Sequence, residues 1–141
     1  MYNRPQLIKE LMRDEGLRLE VYPDSVGLWT IGVGHLLGNE KRMTRITMDE
    51  ATALLVADIG TAEDALDKSI PFWAELDDVR QRALMNMSFN LGNRLAGFAK
   101  FRLALSVGNW EQAKEQMLNS KWADQVGSRA DRLAEMIEKG V

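Results

Sequence analysis

A chain of 141 residues with 45% hydrophobic and 28% charged content has globular proportions and can bury one sizeable core. With no cysteine it has no disulfide, no thiolate nucleophile and no Cys-based metal site, and a net charge of −3 supplies no pervasive basic field for nucleic acid or anionic lipid. Charge interrupts the N-terminal segment every few residues and no apolar run approaches the ~20 residues of a membrane span, so neither a secretory signal nor stable membrane insertion is expected.

The first predicted helix begins near Pro5, a residue suited to a first turn, and carries Leu7, Ile8, Leu11 and Met12 as an apolar stripe. Gly16 is its natural stop, which leaves Glu15 at the C-terminal end. LRLEVY then alternates apolar and polar residues as a half-buried strand does, PDSVG is turn chemistry, and LWTIGVG reads as the returning strand of a hairpin. A short polar loop is expected after His35.

Thr47-Met48-Asp49-Glu50 is a capping box. The helix it opens runs for about 20 residues, from Met48 to about Asp67, long enough to bridge two lobes. Ala51, Leu55, Ile59, Ala62 and Leu66 are its buried stripe. A second strong helix runs from near Asp77 to Leu91, and its latter half is apolar on nearly every face, as in a helix surrounded by others. Further helices are predicted near Phe98–Val107, Trp110–Asn119 and Arg129–Lys139, with Asn109 and Ser128 as N-caps and Gly108 and Gly140 as stops. Five of the 11 glycines fall between Gly16 and Gly38, and almost everything after position 46 reads as helix. The expectation is an α+β fold of one domain. Residues 1–46 would form the first helix and a small antiparallel hairpin sheet, 47–70 a linking helix, and 71–141 a larger helical lobe.

The carboxylates around the hairpin suggest chemistry. Cleaving a glycosidic bond takes one carboxylic acid to protonate the leaving oxygen and a second group across the sugar to activate or steer water. Glu15 at a helix end suits the first role, and Asp24 in the turn with Thr30 on the returning strand suits the second. Taken singly, a helix-end Glu is usually just solvated, a turn Asp just a turn residue and a strand Thr just a strand former. The full string, DEGLRLEVYPDSVGLWTIGVGHLL, is far more specific.

That string resembles the active-site segment of the phage-type lysozymes, the T-even phage muramidases and their endolysin relatives. The family pattern is Glu, eight residues, Asp, five residues, Thr, and Glu15, Asp24 and Thr30 match it. Further matching words are DDVRQRALMNMSFNLG, AGF, W-x-x-A and SKW…SRADR, so the resemblance covers nearly the whole chain. It implies a lysozyme-like two-lobed fold with a cleft between the lobes. It also implies hydrolysis of the bond from N-acetylmuramic acid to N-acetylglucosamine in peptidoglycan. Glu15 would be the general acid, and Asp24 would stay ionised opposite the developing cation while Thr30 holds the water. Leu36, Phe89 and Asn90 would lie at the cleft. Phe101 and Gln116 align with two sugar-contact positions occupied by Ser and Asn in the T-even enzymes. Arg129 would hold Glu15 in place. Between Leu37 and Ile46 the chain is roughly a helix shorter than those enzymes.

The remaining polar residues read more simply. His35 is the only histidine, without a G-x-S-x-G partner or enough neighbouring ligands for a metal, so it is expected to be structural, paired with Asp58. Asn86 lies in an apolar helical run and must find a hydrogen-bond partner, and it could reach the active-site side. No cofactor or metal is implied. The expected setting is a phage or prophage product, a monomer held in the host cytoplasm until a holin opens the membrane to the cell wall. LRLEVYP, nearly extended between Glu15 and Asp24, separates the two carboxylates and favours an inverting mechanism. A lytic transglycosylase would need the acid without Asp24 and Thr30, a non-enzymatic wall binder would need none of the three, and a nucleic-acid binder is disfavoured by charge.

Overall fold

The structure, a computed structural model, describes residues 1–24, 26–39 and 45–141. Helix α1 (Arg4–Glu15) starts with Asn3 as N-cap, whose side chain accepts from the Gln6 amide. It stops at Gly16, whose φ of 75° a side chain would resist. The apolar stripe of α1 enters the larger core, where Leu7 and Leu11 are fully buried.

Three antiparallel strands follow, β1 (Arg18–Pro23), β2 (Trp29–Gly32) and β3 (His35–Gly38), in the order β1-β2-β3. The segment after His35 was expected to be a short polar loop. Instead His35–Gly38 pairs with β2, Leu36 opposite Thr30 and His35 opposite Ile31. The chain reverses through Val33 and Gly34, the latter at φ 65°, a tight turn that a glycine makes possible. The shortened connection after Leu37 falls largely in 40–44, outside the described residues.

Helix α2 (Met48–Ser69) spans 22 residues, about 33 Å at 1.5 Å per residue. Its capping box is complete: Thr47 Oγ1 accepts from the Glu50 amide at 3.1 Å and Glu50 Oε1 accepts from the Thr47 amide at 3.0 Å. The helix packs on β2 and β3 near its start and on helix α3 (Asp78–Leu91) further along, so it joins the sheet to the helical part. It separates two apolar clusters. A small one lies beneath the sheet around Ile31, Ile46 and Ala51, and the large one holds Leu66, Leu84, Met85, Met87, Leu105, Leu133 and Ile137.

Helix α3 is enclosed by its neighbours, with Ala83, Leu84, Met85, Asn86 and Met87 all at 0% exposure. Buried Ser88 donates to the Ala62 carbonyl at 2.7 Å and pins α3 to α2. Helices α4 (Ala99–Ser106), α5 (Trp110–Leu118) and α7 (Ser128–Lys139) match the sequence periodicity. Asn109 caps α5 as expected. Ser128 does not cap α7: Gly127 takes that position at φ 61°, and Ser128 is the first helical residue, its hydroxyl accepting from Arg132. Three short elements lack a periodic signal, namely 3₁₀ turns at Trp73–Glu75 and Gly92–Gly97 and helix α6 (Lys121–Val126). No helix among the described residues is long and apolar enough to cross a membrane.

Thr47→Ala removes one half of the reciprocal cap, which costs about 1 kcal/mol. Thermal denaturation should show a melting temperature lower by roughly 3 °C, with the rate per folded molecule unchanged.

Candidate active site

The site is built where the C-terminal end of α1 meets the N-terminal turn of α7. Carboxylates at a helix C-terminus and cations at a helix N-terminus both oppose the helix dipoles, so Asp14 and Glu15 on one side and Arg129 and Arg132 on the other need each other. Arg129 Nη1 donates to Glu15 Oε1 at 2.6 Å, with side-chain exposures of 8% and 16%. Arg129 Nε donates to Asn86 Oδ1 at 2.9 Å, and Asn86 Nδ2 in turn donates to Asp14 Oδ2 at 2.9 Å. The Asp14 side chain, at 0% exposure, also accepts from Arg13 and Arg132. Burial alone would raise the Asp14 carboxyl, but the hydrogen bonds from Arg13, Asn86 and Arg132, with the nearby charge of Arg129, outweigh it and hold the group below the usual carboxylate range.

Asp24 is held differently, by its own turn. Its Oδ1 accepts from the Val26 amide at 3.0 Å and the Leu28 amide at 2.8 Å, while its amide donates to the Leu28 carbonyl. Thr30, 5% exposed, donates its hydroxyl to that same carbonyl at 3.3 Å. Leu28 therefore links the carboxylate to the hydroxyl. Opposite Thr30 on β1 is Tyr22, whose ring is covered by the Arg18 guanidinium at 4.5 Å. Burial raises the Tyr22 phenol most, Glu15 adds to this, Arg18 opposes it and Asp24 contributes last. The phenol thus feels both carboxylates.

A depression of about 200 Å³ opens between the sheet and helices α2 and α3. Gly34, His35 and Leu36 line one side, and Asp58, Phe89 and Gly92 the other. Leu36 offers 54% of its surface to solvent.

A sequence model of the phage lysozyme family matches residues 12–136. The chain belongs to the phage lysozyme family. It is a lysozyme-type glycoside hydrolase. It is 29% identical to probable T4-type lysozyme 1 of Dictyostelium discoideum, over 94% of each chain. It is 34% identical to the endolysin of Salmonella phage P22, over 79% of this chain and 77% of that one. It is also 36% identical to the pre-baseplate central spike protein Gp5 of Enterobacteria phage T4, over 92% of this chain but only 27% of the spike protein.

In this lysozyme the other residues singled out from sequence fall into two groups. His35 Nδ1 donates to Asp58 Oδ2 at 2.7 Å, joining β3 to α2 beside the depression. Asn90 Oδ1 accepts from Trp122 Nε1 at 2.8 Å. Phe101 and Gln116 lie together, away from Glu15, around a second depression of about 400 Å³ that also includes Phe98 and Lys100. Phe101 is only 1% exposed and packs edge-on against Phe98, so it forms the floor of that depression.

Sequence reasoning missed Asp14 and Tyr22. Asp14 had one signal: it adjoins Glu15 at a helix end, where two carboxylates demand cations. Tyr22 read as an ordinary strand aromatic.

Replacing Asp14 with Asn keeps its shape and removes its charge. The lowered carboxyl contributes stability that is present above its unfolded value and lost as pH falls through its folded value. Asp14→Asn should therefore be destabilised by about 2 kcal/mol at pH 7. Denaturant melts at descending pH should show that gap closing below about pH 4.

Proposed function

We propose that this chain hydrolyses the β-1,4 bond between N-acetylmuramic acid and N-acetylglucosamine in peptidoglycan, with inversion, as the enzyme that opens a phage's host cell. The observation that supports the reading is two carboxylates held in different ways, both near enough to act on the Tyr22 phenol. Glu15 is clamped by a buried guanidinium, and Asp24 is fixed by amides of its own turn.

In this reading Glu15 donates its proton to the glycosidic oxygen as the bond to the anomeric carbon breaks, and the bonding electrons leave with that oxygen. Charge developing on the sugar is stabilised by Asp24. Thr30 and Asp24 orient a water on the opposite face, and the proton that water loses passes to Asp24 and then to solvent. A sugar seated over Glu15 would exclude water from the reacting groups. Leu36 and Phe89 give the sugar apolar walls, and Gln116 lies further along. His35 and Asp58 hold β3 against α2 and take no part in proton transfer.

The endolysin relative supports a lytic role, and we propose in addition that the enzyme acts as a monomer and reaches the wall with the help of a holin. Digestion of purified peptidoglycan tests the chemistry. A hydrolase releases reducing ends, whereas 1,6-anhydro ends would mean a lyase.

Glu15→Gln keeps the shape of the acid but has no proton to donate. The folded variant should lose about 10²–10⁴-fold in rate, and wild-type turnover would remove Glu15 from the role. Proton NMR of the nascent product should show the α-anomer before mutarotation. First appearance of the β-anomer would overturn inversion and the part given to Thr30.

A further inference from the structure

The geometry points to Gly34 as a positioning residue for the acid: its missing side chain seats Glu15 Oε2 against the cleft wall, so Oε2 is the oxygen that carries the transferred proton. The inference rests on Glu15 being the general acid.

The two oxygens of Glu15 have different surroundings. Oε1 accepts the 2.6 Å charge-assisted bond from Arg129. A proton added there would face a guanidinium N–H that is already a donor. Oε2 is directed at Gly34. A Cβ at that position would lie 2.9 Å from Glu15 Cδ, 3.1 Å from its Cβ and closer still to Oε2. Real Cβ atoms do not tolerate such separations from a carboxylate, so Oε2 packs directly on the glycine α-carbon. Gly34 is also part of the lining of the depression that Leu36 and Phe89 share. The oxygen free of the guanidinium is thus the one beside the space a sugar would fill.

The carboxylate has little room to retreat. Glu15 is the last residue of α1, its backbone is closed by Gly16, and its neighbour Asp14 is buried among Asn86, Arg13 and Arg132. A methyl group on Gly34 would push Oε2 from its seat or pull Oε1 from Arg129. In the reaction the proton leaves Oε2 for the glycosidic oxygen, and the O–H electron pair stays on the carboxylate. Oε1 keeps its bond to Arg129 throughout, and solvent restores the proton on Oε2.

Gly34 has a second reason to be glycine, its φ of 65°, and the two reasons can be separated. Gly32, two residues earlier, has nearly the same φ of 66°. The nearest atoms to a Cβ there belong to Ile46, Ala51 and Leu54, at 3.6–3.9 Å, which is ordinary contact. Gly32→Ala therefore imposes the backbone strain without touching Glu15. Gly34→Asn complements Gly34→Ala, because Asn tolerates the left-handed region better while carrying the same Cβ.

Release of reducing ends from peptidoglycan should be measured for Gly34→Ala, Gly34→Asn, Gly32→Ala and Glu15→Gln, alongside thermal melts. Both Gly34 variants should fold and lose roughly 100-fold in kcat, with KM changed less than about threefold. Gly32→Ala should melt lower yet keep the wild-type kcat. A folded Gly34 variant with wild-type kcat, or a Gly32→Ala loss in kcat as large as that of Gly34→Ala, would overturn the inference. Glu15→Gln separates the two claims. If it is dead while Gly34→Ala is fully active, only the seating of Oε2 fails. If Glu15→Gln is active, the assignment of the acid itself fails.

Discussion

A guanidinium cannot shed its proton, so Arg129, almost wholly buried, must be met by acceptors wherever the chain places it. Glu15, Asn86 and Asp14 meet it, from the end of α1 and the middle of α3, while Arg129 itself opens α7. Truncating any one of these groups would leave charge or polarity uncompensated in the interior, a penalty of about 2 kcal/mol or more. The network therefore fixes how three helices converge, and it ties residues 114 positions apart in sequence. The direction of the Glu15 side chain follows from that convergence.

The same pair fixes where Glu15 Oε1 lies, through a 2.6 Å bond that reaches from α7 to the end of α1. The support of Asp24 is purely local, two amides within four residues. One carboxylate is placed by the whole fold and the other by a single turn.

That difference also explains what could be read from the sequence. Features set by nearby residues were legible: Gly16 as the stop that leaves Glu15 at the end of α1, the Thr47–Glu50 box that launches α2, Asn109 as a cap, and the turn that carries Asp24. Features set at long range were not. His35–Gly38 looked like a loop because its pairing with β2 depends on a tight turn through Gly34. Helix α6 is too short to show a period, and Gly127 rather than Ser128 caps α7 because the chain must change direction there. Asn86 announced itself as a polar residue in an apolar run, but its partners Asp14 and Arg129 lie 72 and 43 residues away. Asp14 was hidden beside a more conspicuous neighbour.

In the proposed mechanism Glu15 and Asp24 face one sugar linkage from opposite sides. The most direct test is a crystal structure of Glu15→Gln with a muramyl oligosaccharide bound. The glycosidic oxygen is expected within about 3 Å of the side chain at position 15, with a water between the anomeric carbon and the Asp24–Thr30 pair on the other face. A saccharide seated with both carboxylates on one face, or lying away from Glu15 altogether, would contradict that mechanism.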